Sequence, residues 1–330
     1  MSLMGIIVVL ALAGCGEKSQ EDVVKALDEK VESLTGYKAE AEMTLQTGNE
    51  PQVYEVEVWH QTPAFYRVNL KNAEKDQSQM ILRNKEGVFV LTPALNKSFR
   101  FQSEWPQNSS QAYLYESLVK DIKDDPEAKF TVSEEGYVFE TKTNYKNNKM
   151  LPMQEIVFDK KNMTPIMVKV MDPDRNPLLV VEFNKFEFDP SFDENAFDVQ
   201  KNMSGARLEV PVMAEVNDEP FSVMYPEEKI EGVDLVEEKE IDTENGKRIV
   251  MTFDGEKSFT LIQERAKVSE VGTTTTVSGE PVDLGFTVGS LTENSITWSY
   301  QGVDFMIASE DLTQEEMYSI AHSVQGQAIK

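Results

Sequence analysis

The side chains that most often act as nucleophile, general base or soft-metal ligand are scarce in this chain. There is one cysteine, Cys15, and there are two histidines, His60 and His322, in 330 residues. A lone thiol cannot close an intrachain disulfide, and a structural zinc site needs about four N/S ligands. No G-x-S-x-G elbow and no phosphate-binding glycine loop is present. His60 falls in a strand-like pattern beside Trp59 and His322 in a predicted helix. Neither has a nucleophile motif nearby, so both read as structural or surface histidines. "DPDRNP" at 172–177 begins like a calcium loop. It has Pro177 where the EF-hand turn needs glycine and Phe183 where the bidentate glutamate belongs, so it reads as a hairpin turn. Asp189, Asp193, Glu194 and Asp198 cluster in "DPSFDENAFD" and read as solvated charge. With 58 Asp and Glu, carboxylate pairs of glycosidase type carry no signal. The chain is expected to use no cofactor and no metal, and to be a binding protein rather than an enzyme. Activity on esters or glycosides would revive a hydrolase reading.

Cys15 is different because of its neighbours. Residues 3–13 are an apolar run too short for a membrane-spanning helix, which needs about 20 residues. The run suits the apolar core of a secretory signal, about 7–15 residues. It ends in Leu12-Ala13-Gly14-Cys15, which resembles a bacterial lipobox. That resemblance implies a signal peptide over 1–14, lipidation of Cys15, and a short tether over 15–18. One feature departs from the pattern: Met1-Ser2-Leu3-Met4 carries no Lys or Arg, whereas such signals usually start with positive charge. The alternative is a buried free thiol acting as a small hydrophobe.

Composition narrows the partners. The chain is 40% hydrophobic and 27% charged with net charge −26. That surplus of acid argues against nucleic acid, whose phosphates need Lys and Arg. It argues equally against docking on anionic lipid through a basic patch. No second apolar stretch reaches spanning length. Cys15 is therefore the expected membrane contact, which places the protein on the outer face of the cytoplasmic membrane.

The elements follow from periodicity. Val23, Val24, Leu27, Val31 and Leu34 share one helical face behind a Ser19–Asp22 cap, with Gly36 as a stop. The period then changes to two in "YEVEVWH". Strand-like runs follow in "AFYRVNL", "QMILRN", "GVFVLTP", "KSFRFQ", "KFTVSE", "GYVFETK", "MQEIVFD", "PIMVKVMD" and "PLLVVEFNKFEF", with turn residues between them. One helix, "SSQAYLYESLVKDI", interrupts the meander. This is an α+β chain, mainly antiparallel β, with a curved half-barrel sheet and covering helices at 19–205. A linker is expected over 206–218, where the chain turns to Gly, Pro and polar residues. A second, smaller unit is expected at 219–330, a β-rich meander closed by a helix capped by Thr313 and Glu316. Residues 211–330 hold 24 acidic and 8 basic residues, against 34 and 24 before them, so the smaller unit is the more acidic.

Several stretches, in this order, resemble the LolA-like lipoprotein carrier fold family. They are "YKAEAEMTL"; "VEVWHQTPAFYRVNL" with Trp59, Pro63, Phe65 and Arg67; "NKEGVFVLTPALNKSFRF"; and "VEFNKFEFDPSFDENAFDV". The second unit resembles an uncharacterised domain of membrane-associated proteins from spore-forming bacteria, in "GKRIVMTFDGEKSFTLIQE", "NSITWSYQGVDFMIAS" and "LTQEEMYSIAHSV". The whole combination resembles YdcC-type sporulation lipoproteins. The fold it implies is an open half-barrel with helices over an apolar cavity that takes acyl chains. One departure concerns mobility: the carrier shuttles freely, whereas this chain would be tethered by Cys15.

The implied ligand is a lipid or other acylated molecule. Candidate walls on the first strands are Val56, Val58, Tyr66 and Val68. Farther along they are Phe89, Leu91, Phe99 and Phe101, and from the later strands Ile156, Phe158, Val181 and Phe183. Which sheet face points inward is left open, because register is not fixed by one sequence. The opposing expectation is a filled core and a protein-interaction or signalling ectodomain, whose acidic second unit contacts an envelope protein.

Overall fold

The computed structural model describes residues 17–46, 51–73, 78–107, 109–145, 149–209, 221–243, 246–269 and 273–324. The signal-like segment, Cys15, residues 210–218 of the expected linker and residues 219–220 lie outside them. Helix α1 (Gln20–Ser33) starts from a two-way cap in which the Ser19 side chain accepts from the Asp22 amide and Asp22 bonds back to Ser19. Asp22 is held below the usual carboxylate range by these bonds. The helix ends before Gly36, which opens the first strand. A Cβ there would sit 2.3 Å from the His60 carbonyl oxygen, so the close approach of two strands requires glycine at this point.

Six strands then zigzag: β1 (Gly36–Leu45), β2 (Gln52–Gln61), β3 (Phe65–Asn72), β4 (Ser78–Asn84), β5 (Gly87–Thr92) and β6 (Lys97–Phe101). Helix α2 (Tyr115–Asp124) crosses over. The chain then returns through β7 (Lys129–Val132), β8 (Tyr137–Lys142), β9 (Met153–Phe158), β10 (Pro165–Met171) and β11 (Pro177–Phe188). β11 pairs with β1, which joins the two runs into one antiparallel sheet. The "DPDRNP" segment is the β10–β11 hairpin turn, where Asp172 accepts from the Asn176 amide and Arg175 takes a positive φ of 69°. Helix α3 (Val199–Glu209) follows, so the first residues of the expected linker are helical.

Strand alternation gives the sheet two different faces. The inner face carries Ala39, Val58, Val68, Ile81 and Val90, which are register partners in successive strands. Helices α1 and α2 cover it through Val23, Leu27, Leu118, Val119 and Ile122, all buried. Tyr37, Tyr115, Phe158, Phe186 and Phe188 pack ring to ring between them. The outer face is polar over most of its width. At β4 and β5 it is apolar, because Met80, Leu82, Phe89 and Leu91 meet Val199 and Met203 of α3 in a small separate core.

The second sheet holds β12 (Val233–Thr243), β13 (Gly246–Gly255), β14 (Phe259–Arg265), then, after a break, β16 (Glu280–Asp283), β17 (Val288–Leu291), β18 (Ser295–Tyr300) and β19 (Val303–Ala308). Helix α4 (Gln314–Ser323), with the expected Thr313–Glu316 cap, buries Met317, Ile320 and Ala321 against it. The break is β15 (Thr273–Val277), which leaves its own sheet and pairs in parallel with β6. It thereby makes the first sheet 12-stranded, with β15 and β7 as its unpaired edges. The sheet is open and not a closed barrel.

Side-chain bonds continue the join between the sheets. Gln79 Oε1 accepts from the Val288 amide at 2.7 Å and the Thr287 hydroxyl at 3.0 Å. Asn96 donates to Ser269, Tyr54 to Phe286, and Ser103 to Glu280. Lys97 pairs with Asp304 at 3.2 Å. One continuous apolar core runs from α1 to α4.

Candidate ligand-binding clefts

Three of the cavities among the described residues have room for a ligand, and their walls differ in kind. The first lies between the two sheets and measures about 410 Å³. Its apolar wall on the first sheet is Val90, Phe99, Phe101 and Val277, the last from the inserted strand β15. These are neighbours by register: Phe99 faces Val90 on one side and Thr275 on the other. The opposite wall is one face of the second sheet, with Ile262, Met306 and Thr297 beside Arg248, Glu264 and Asp304. The charges on that wall are paired, Arg248 with Glu264 at 2.6 Å and Asp304 with Lys97. Thr92, on the rim, is buried and its hydroxyl has no partner. A mostly apolar slot with a few polar groups at one side is the usual composition of a small-ligand site.

The second cavity, about 660 Å³, lies under α1 and α2 on the inner face. Its walls are more polar. His60 is 3% exposed. Its Nδ1–H donates to the Phe65 carbonyl at 3.0 Å, and its Nε2 is 2.7 Å from Glu116 Oε1. Tyr37 donates its hydroxyl to the other Glu116 oxygen at 3.0 Å, and Tyr66 stacks on the imidazole at 4.3 Å. Burial pushes the Tyr37 hydroxyl well up, with the Glu116 charge adding to it. Asp121 stands in the same wall, accepting from Ser110 and Gln154 at 2.7 Å each. Burial raises its carboxyl more than those bonds lower it. This network ties α2 to the β2–β3 hairpin and gives His60 a structural role. It presents no nucleophile in line with a base. His322 is likewise engaged, its Nδ1–H donating to the Leu284 carbonyl at 2.9 Å, and burial lowers its pKa. The third cavity is on the outer face of the first sheet beside α3.

The sequence-based wall residues divide among these places. Phe99 and Phe101 border the inter-sheet cleft and Tyr66 borders the cavity under the helices. Val56, Val58, Val68, Ile156, Phe158 and Val181 are at most 2% exposed and sealed in the main core. Phe183 is half-buried against that core. Phe89 and Leu91 point to the outer face under α3, so the twelve do not form one wall. The cleft residues that sequence reasoning missed are Val90, Val277, Ile262 and Met306. "TTTTV" carried no apolar alternation, so β15 gave no signal as a strand. The carboxylates of "DPSFDENAFD" serve local structure: Asp189 accepts from the Thr35 amide and hydroxyl, which lower its pKa, and Asp198 caps α3 through the Lys201 amide. Among the described residues no group of three metal-ligating side chains converges, and no helix is long and apolar enough to cross a membrane.

Among solved structures, the MucA/MucB complex of Pseudomonas aeruginosa aligns over 93% of this chain and 100% of the compared chain, at 13% identity and a TM-score of 0.35. A LolA superfamily protein from Nitrosomonas europaea aligns over 56% of this chain and 100% of its own, at 8% identity and a TM-score of 0.32. The sporulation protein YdcC of Bacillus subtilis (strain 168) is 56% identical over 99% of this chain and 97% of its own length. The family model for sporulation protein YdcC-like sequences matches residues 1–197. The chain belongs to the YdcC-like sporulation protein family, and its fold is α+β, mostly antiparallel β.

Proposed function

We propose that this protein is a non-enzymatic lipoprotein, anchored through Cys15 on the outer face of the cytoplasmic membrane. In this reading it holds an acyl chain or other slender apolar ligand in the cleft between its two sheets. Its role in sporulation is carried over from the name of its Bacillus subtilis relative. The observation that carries the binding reading is the about 410 Å³ slot walled by Val90, Phe99, Phe101 and Val277. Hiding acyl carbons from water stabilises by about 0.8 kcal/mol per CH₂, and this wall supplies the surface for it. The cavity under α1 and α2 fits such a ligand poorly, because a chain there would desolvate His60, Glu116 and Asp121 without replacing their hydrogen bonds. Lys97 and Arg248 at the charged side of the cleft are placed to meet an anionic head group in exchange for their present carboxylate partners.

The test is native mass spectrometry of a chain beginning after Cys15, purified without detergent from a membrane-rich lysate. A lipid-mass adduct that disappears in Met306→Trp supports the reading. Met306 is 36% exposed on the cleft wall, so the larger ring fills the slot without entering the core. A clean unliganded mass, together with no displacement of a fluorescent fatty acid, refutes it. A second reading, an interaction ectodomain, rests on edge strand β12. It is exposed along nearly its whole length and bares Leu235, Val236 and Ile241.

A further inference from the structure

The outer face of the first sheet carries a feature that apolar-ligand binding does not use. Beside α3 lies a cavity of about 410 Å³, lined by basic, aromatic and amide side chains. Strand alternation puts Lys38 of β1, Trp59 of β2, and Arg67, Asn69 and Lys71 of β3 on this face. Phe192 and Lys201 arrive from the segment after β11 and from α3. In a chain of net charge −26, such a gathering of cations is a local inversion.

The cations are only partly neutralised by carboxylates, although Asp193 also lines the cavity. The Lys38 ammonium lies 4.8 Å from the centre of Trp59 and 5.0 Å from that of Phe192, and among the described residues no carboxylate pairs with it. Lys71 is a loose 3.8 Å from Glu55, and Lys201 is 4.0 Å from Asp193. Only Arg67 is tightly held, by Glu57 at 2.5 Å and by Asn202 at 2.8 Å, with its guanidinium 4.2 Å from the Trp59 ring. That arrangement fixes Trp59, whose indole N–H also donates to Glu57 at 2.9 Å. Asn69 adds a buried carboxamide oxygen without a partner. The amide is a group that can serve a ligand hydroxyl or, turned over, an anion oxygen. The result is a rigid aromatic floor with three available ammonium groups around it.

We infer that this outer-face cavity binds a phosphate ester, with Lys38, Lys71 and Lys201 supplying charge to the phosphate and the Trp59–Phe192 surface taking the organic part. Ammonium groups serve as point charges for phosphate oxygens. Several of them around one space suit an anion with several oxygens better than a single carboxylate. The cavity is larger than a phosphate ion needs, and the spare volume is bounded by rings, which fits a glycerol- or sugar-sized substituent. The same chemistry is presented by a free phosphate ester and by the head group of an anionic phospholipid.

Glycerol 3-phosphate is titrated calorimetrically into the chain beginning after Cys15. Flotation is measured in parallel with vesicles of phosphatidylglycerol and of phosphatidylcholine. Both are repeated with Lys38→Gln and with Lys201→Gln, after thermal melts confirm folding. Saturable binding is expected, weakened about tenfold by either substitution, as loss of a charge-assisted contact implies. Calorimetric binding assigns a soluble ester. Flotation on phosphatidylglycerol alone, lost in the variants, assigns a lipid head group. No saturable binding in either format overturns the inference, and so does binding that both variants retain in full.

Discussion

Gln79→Ala tests whether the two sheets behave as one unit. Gln79 reaches from β4 across the join, and its Oε1 accepts from the Val288 amide at 2.7 Å. The Thr287 hydroxyl, which also bonds Gln79, keeps a second bond to the Ser299 carbonyl at 2.8 Å. The truncation therefore strands one group, the N–H of Val288, in a residue 6% exposed. Leaving such a donor buried and unmade costs about 1–3 kcal/mol. The expected loss is about 2 kcal/mol, or about 3 °C in Tm for a protein of this size. The assay is urea denaturation followed by fluorescence, with hydrogen exchange read at Val288. If the sheets are one cooperative unit, the midpoint moves, the transition stays single, and exchange at Val288 accelerates. A loss below about 0.5 kcal/mol, within the range of ordinary surface changes, would refute the reasoning. So would a split into two transitions, which would mean that the sheets unfold separately.

Three further outcomes follow from single residues. The Arg175 hydrogen bond, seconded by Lys129, holds the Glu140 carboxyl down at about 2. A depressed carboxyl stabilises above its unfolded pKa and loses that contribution as pH falls. Glu140→Gln should therefore cost about 1–2 kcal/mol at neutral pH, after allowance for solvent around the exposed cations, with the difference shrinking as pH falls toward about 2 and gone only below it, by acid titration of stability. Gly36→Ala should prevent correct pairing of β1 with β2, since its Cβ would sit 2.3 Å from the His60 carbonyl. Soluble yield and circular dichroism would report it, and a native-like melt would contradict it. Cys15→Ser should move the protein from the membrane to the soluble fraction on cell fractionation. Retention on the membrane would contradict lipid anchoring at that residue.

Much of the scaffold was legible because alternation is strong where one sheet face is buried and the other wet. β1 to β3 alternate in this way, and so do the hairpin after Asp172 and the two capped helices α1 and α4. Legibility ended where tertiary packing overrode local pattern. β4 and β5 are apolar on both faces because α3 covers one of them, and the last residues of α3, 206–209, read as linker. Strands β15 to β17 are only four or five residues long, and take their place from the partner strand or sheet rather than from periodicity. The register that a single sequence cannot supply also explains the mixed fate of the expected wall residues. Phe89 and Phe99 are both strand aromatics, yet one lies under α3 and the other borders the cleft. The cleft wall was beyond reach for the same reason: Val277 and Met306 meet Phe99 only because β15 crosses between sheets.

The most direct measurement of the central claim is photo-crosslinking with a diazirine-bearing fatty acid, followed by peptide mapping. If the cleft holds the ligand, label concentrates on peptides carrying Phe99, Val277 and Met306, and Met306→Trp removes it. Label confined to the α1–α2 cavity around Tyr66 and Leu114, or scattered over the surface without competition by unlabelled fatty acid, would contradict an acyl site between the sheets.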